Sequence, residues 1–230
     1  MNNSIKFCAW AGQLAMFLMF MAMWPAWHIL PPPSPSLPLA EWASHFHDNT
    51  VGVFVGAAMM MAGSSLFLVF GGGLCACLKR MEGKNCPLTY GMMMFFPFGF
   101  FPLFAMLVFL VEAAFRPGMN PEIIGMLADL GLFMLAIPGL VALIQFVIIG
   151  VIILRDVNAE PIFPRWTAYI NIWVGILSIP GCIVPFFKSG PFAWNGIIAF
   201  WIPAIAFGIL INVLFFAMTK AAKHPALQAQ

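Results

Sequence analysis

Charge is scarce in this sequence: ten Lys and Arg and eight Asp and Glu amount to 8% of 230 residues, against 63% hydrophobic residues. Soluble domains carry about a quarter charged residues, so a water-soluble globular fold is excluded. The net charge is only +2, and no basic cluster exceeds Lys79, Arg80 and Lys84. That leaves no electrostatic footprint for nucleic acid, which is excluded as a partner. The five cysteines (Cys8, Cys75, Cys77, Cys86 and Cys182) are odd in number and scattered, unlike a disulfide framework. Catalytic signatures are missing as well: there is no Walker loop, no G-x-S-x-G and no H-E-x-x-H. No histidine pair lies at matching depth for haem, and no acid lies at mid-membrane as a proton-coupled carrier would need. The chain reads as non-catalytic, and no cofactor is expected.

What the sequence has in abundance is apolar length, with a mean hydropathy of +0.98. Six apolar runs cover residues 7–29, 51–78, 88–111, 130–153, 167–187 and 195–218, separated by the charged and Pro-rich stretches. Each is long enough to cross a hydrocarbon core of about 30 Å as a helix. The first exceeds the apolar stretch of a signal peptide and is expected to stay in place. The expected fold is therefore all-α, one polytopic transmembrane domain over residues 1–230 with the lipid bilayer as its first partner. If the N-terminus is inside, Lys6, Lys79, Arg80, Lys84, Arg155, Arg165, Lys220 and Lys223 fall on the inner side, and only Arg116 and Lys188 fall outside. This bias places both termini in the cytoplasm.

The longest outer segment, residues 30–49, opens with Pro31, Pro32, Pro33, Ser34 and Pro35, a polyproline II spacer. Leu37, Leu39, Trp42 and Phe46 then interleave with Glu41, His45, His47 and Asp48, which predicts a short amphipathic helix at the membrane surface. Trp24, Trp27, Trp42, Trp166 and Trp194 fall at the expected interfaces, where indole rings are favoured.

Four sets of residues are candidates for function or architecture. Pro102, Pro138, Pro180 and Pro203 interrupt the spans, and each removes a backbone donor and bends its helix. Carbonyls freed in this way line sites in transporters, or the prolines simply shape the bundle. Gly52 and Gly56 form a G-x-x-x-G that lets helices approach closely, within the chain or in a homo-oligomer. Gln13, Gln145, Asn171 and Asn212 are amides in the cytoplasmic halves of their spans, suited to a shared network or a polar cavity. Asp129, at the outer boundary, is a partner for Arg116 or a substrate contact. A further set, His45 and His47 with Met59–Met61, Met92–Met94, Cys75 and Cys77, traces a line of soft ligands for Cu(I). Consecutive methionines on a helix point in different directions, which weighs against that line.

Phe163, Pro164, Arg165 and Trp166, then Asn171, Trp173 and Pro180, then Lys188, Ser189, Gly190, Pro191, Phe192, Ala193 and Trp194 make up one set of motifs. With Leu78–Tyr90, including Arg80, Glu82 and Gly83, they resemble uncharacterised bacterial six-helix integral inner-membrane proteins. The resemblance implies a six-helix bundle in a bacterial inner membrane and brings no activity, cofactor or catalytic residue. Three functions remain open. The chain binds or passes a small apolar or amphipathic compound, serves as a non-catalytic scaffold or accessory subunit with a membrane-protein partner, or handles copper.

Overall fold

The computed structural model describes residues 2–116 and 118–227, and over them the only regular elements are helical. Six segments are long and apolar enough to span a membrane: Asn3–Ala26, Thr50–Glu82, Pro87–Phe115, Pro121–Leu154, Trp166–Phe186 and Ile197–Ala221. The first is helix α1 (Asn3–Met21), started by the Asn2 side chain accepting from the Ile5 amide at 3.3 Å. It runs into one wide turn, Ala22–Ala26, because Pro25 has no N–H and its ring crowds the preceding turn. There the Trp27 amide reaches the Ala22 carbonyl, five residues back, at 2.8 Å.

A Pro-rich strap, residues 28–38, follows and leads into the amphipathic helix α2 (Leu39–Asp48), which buries Trp42, Ala43 and Phe46. Helix α3 (Thr50–Glu82) is 33 residues long, or about 50 Å at the usual rise. Its glycines let neighbours come close. A side chain on Gly56 would collide with the Trp27 indole, and one on Gly73 with Cys8, so the G-x-x-x-G starting at Gly52 packs within the chain against Ala26 and Trp27. Glu82, at the end of α3, accepts from the Leu88 and Thr89 amides and the Thr89 hydroxyl at 2.9, 2.8 and 2.7 Å. These bonds satisfy the exposed amides that open α4 (Pro87–Phe115).

The fourth span is two helices, α5 (Pro121–Ala136) and α6 (Gly139–Leu154), separated at Ile137 and Pro138. It begins well before residue 130, because Asn120 caps the Glu122 amide at 2.9 Å and Pro121 occupies the first helical position. The hydrophobic run alone had left Glu122 and Asp129 outside. Helix α7 (Trp166–Ser178) tightens into a 3-10 segment, Ile179–Phe186, and a wide turn, Ile197–Trp201, leads into α8 (Ile202–Ala221). The α5–α6 break and the end of α7 interlock backbone to backbone: Gly139 lies against the Ser178 carbonyl and Gly181 against that of Ala136.

Inside the bundle are two apolar clusters. One is centred on Phe67, Phe70 and Phe146, the other on Trp27, Trp42, Phe46 and Met106. The start of α1 and the segment after α8 lie together, since the Asn2 amide donates to the Ala222 carbonyl at 2.9 Å and the Asn2 side chain to the Leu227 carbonyl at 3.1 Å. Trp27, Trp42 and Trp194 are buried rather than interfacial. The indoles of Trp27 and Trp194 donate to the carbonyls of Val53 and Pro33, each at 2.8 Å, and so stitch the strap to the bundle.

Because the Gly56–Trp27 contact leaves no room for a side chain, Gly56→Val should destabilise the protein by about 1–3 kcal/mol. At Gly72, where an added methyl group would meet no atom within 4 Å, Ala should be accepted without loss. Thermal unfolding of the two variants in one detergent checks this, and equal midpoints would contradict the packing.

Candidate functional site

Where the two apolar clusters meet, all six spans surround one cavity of about 360 Å³. Its wall carries Met19 from α1, Phe67 from α3, Phe100 from α4, Gln145 from α6, Gly181 from the 3-10 segment after α7, and Phe207 from α8. The helix breaks shape it. Pro102, Pro138 and Pro203 all lie on the wall, and Pro180 lies outside it. Pro138 has no N–H to offer the carbonyl of Met134, itself a wall residue. At the Ile137–Pro138 break, Gly139 and Gly181 let the α5–α6 junction and the end of α7 approach backbone to backbone.

Gln145 is the one amide side chain on that wall and is 6% exposed. Its carboxamide lies over α4, where a methyl group on Gly99 would come within 2.9 Å of it. Neither of its polar atoms has a hydrogen-bond partner among the described residues. The wall thus offers a polar point to whatever occupies the cavity.

The other three amides do not join it. Gln13 is off the wall, and its buried amide nitrogen has no partner among the described residues. Asn171 is fully buried and donates to the Thr167 carbonyl of its own helix at 2.8 Å. Asn212 is exposed on the lipid side and donates to Gly208 at 2.8 Å. Bonding to the carbonyl four residues back uses an amide N–H of each Asn within its own helix, while Asn171 Oδ1 is buried without a partner among the described residues.

Asp129 sits half-buried in α5, away from the cavity wall. Arg116 pairs instead with Glu112, one turn earlier in α4, at 3.3 Å on the exposed surface. His45 Nε2 lies 2.9 Å from the Trp27 carbonyl, which the wide turn after α1 leaves projecting toward the strap. His47 Nε2 is buried without a partner among the described residues. Met60 and Met92 are buried whereas Met61, Met93 and Met94 are exposed, so the methionines form no continuous path. Among the described residues, no three His, Cys, Asp or Glu side chains converge as they would around a metal ion.

Sequence reasoning did not single out the wall phenylalanines or Gly99. A glycine between Pro97 and Pro102 was the one available signal. Compared with family models, curated proteins and solved structures, the chain shows no match.

Burial lowers the pKa of His45 from its ordinary 6.5; the bond to the Trp27 carbonyl pulls upward and nearby His28 adds to the drop. The released strap takes up a proton more readily than the docked one, so docking is complete above the ordinary histidine range. It weakens as pH falls through 6.5 toward the lowered value. Limited proteolysis between residues 28 and 38 should accelerate on acidification in the wild type and stay flat in His45→Gln. Identical pH profiles would contradict the assignment.

Proposed function

We propose that this multi-pass membrane protein binds or passes a small apolar or amphipathic compound within the bilayer. The observation that carries this reading is the cavity of about 360 Å³ lined by all six spans, a volume in the range of small-molecule sites, about 300–1,000 Å³. Helical bundles normally close-pack their interiors. Here three proline-bent segments border the open space, and the wall is almost wholly apolar. The excess of Lys and Arg on the side of the termini supports a cytoplasmic location for both ends. The motif resemblance described above supports a bacterial inner membrane.

Filling the cavity tests the reading. Ala142 and Ala204 lie on the wall in different helices, so Ala142→Phe and Ala204→Phe should each weaken binding of N-phenylnaphthylamine, a neutral fluorescent hydrophobe, in nanodiscs. The expected loss is about tenfold, or roughly 1.4 kcal/mol. Equal affinity in the wild type and both variants, after subtracting empty nanodiscs, would overturn it.

A second reading, an accessory subunit or homo-oligomer, is favoured by one feature. Asn212 is exposed toward lipid in a groove that also contains Trp166, Gly208 and Phe216, and an amide in hydrocarbon gains from a partner across a helix interface. Asn212→Leu should then reduce co-extraction of that partner or the oligomer fraction in mild detergent. An unchanged, purely monomeric profile in the wild type removes this reading.

A further inference from the structure

Resting on the cavity reading above, we propose that the site selects uncharged, ring-bearing molecules with a carbonyl or hydroxyl group, and that Gln145, seated over Gly99, makes this selection. Three features of the wall point to that class. First, among the described residues it contains no Lys, Arg, His, Asp or Glu. A charged headgroup there would lose its hydration with nothing to replace it, a penalty that excludes ions from apolar interiors.

Second, aromatic rings dominate the cavity centre. Phe67 and Phe100 lie 4.2 Å apart between ring centroids, Phe67 and Phe207 6.0 Å, and Phe146 and Phe207 6.2 Å. All four are wall residues. Rings spaced and tilted in this way accept a further aromatic or planar ring in offset or edge contact more readily than they accept a flexible chain.

Third, Gln145 supplies both a donor and an acceptor, and neither is used within the protein among the described residues. Its position is set by the absence of a side chain at Gly99, whose added methyl would press on the carboxamide at 2.9 Å. An occupant's carbonyl accepts from the amide N–H and a hydroxyl can engage either polar atom, whereas a pure hydrocarbon leaves both unpaired. Sites built around such a group discriminate against analogues that lack the matching polar atom.

The test uses the full chain in nanodiscs and benzophenone, a neutral diaryl ketone that labels neighbouring C–H bonds under light. Labelling is read at wall peptides carrying Met16, Met19 and Met134. Diphenylmethane, its hydrocarbon counterpart, and 4-benzoylbenzoate, its charged counterpart, serve as competitors. In the wild type, benzophenone should bind about fivefold or more tightly than diphenylmethane, and 4-benzoylbenzoate should fail to compete. Gln145→Leu should erase the ketone preference while retaining diphenylmethane binding, which also shows that the variant folds. Gly99→Ala should move the preference in the same direction by displacing the carboxamide.

An unchanged ketone preference in both variants, or competition by the carboxylate as strong as by the ketone, would overturn the selection and leave the cavity as a general apolar site. Absence of labelling at the wall in the wild type, or wall labelling that N-phenylnaphthylamine does not reduce, would overturn the cavity reading and the selection with it.

Discussion

Within hydrocarbon, a backbone amide or carbonyl that loses its helical partner has no water to take its place. This protein places prolines in five of its six spans, so its architecture depends on how each interruption is absorbed. Pro25 is absorbed by a wide turn whose displaced carbonyls, at Ala26 and Trp27, are taken up by Asn49 at 2.7 Å and by His45 at 2.9 Å. Pro180 and Pro185 are absorbed by tightening into a 3-10 segment. Pro138 is absorbed by splitting the span in two. The strap and its helix thus supply hydrogen-bond partners to the end of the first span.

The cavity follows from these adjustments. Pro102, Pro138 and Pro203 border the space between the two clusters, and the Gly139–Gly181 crossing holds the α5–α6 break against the end of α7 beside it. Helix α3 carries no proline, and its Gly56, Gly63 and Gly73, seven and ten residues apart, accept Trp27, Met19 and Cys8 from the first span and the turn after it.

Much of the fold was legible in the sequence. The six spans announce themselves as apolar runs, the amphipathic pattern from Leu37 to Asp48 becomes α2, and Pro138 lies at the break between α5 and α6. The fourth span was placed too late because Glu122 and Asp129 read as loop residues, although Asn120 and Pro121 carry a clear helix start. Trp27, Trp42 and Trp194 look interfacial by position; only the strap's course shows that they are internal donors and packing elements. Of the four amides, Gln145 reaches the cavity while Asn171 and Asn212 turn back on their own helices. Residue type alone does not tell these fates apart, because each depends on which face of its helix the bundle buries. The wall phenylalanines were invisible for a simpler reason: a phenylalanine facing a cavity and one facing its neighbours have the same sequence signature.

If the space between the two clusters holds a small molecule inside the bilayer, that molecule should survive gentle extraction. Native mass spectrometry of the protein, taken in mild detergent from its host membrane, tests this most directly. The expected result is a chain carrying one small, uncharged compound that is lost from the Ala142→Phe variant. A bare chain in the wild type, or a compound retained equally by the filled variant, would contradict it.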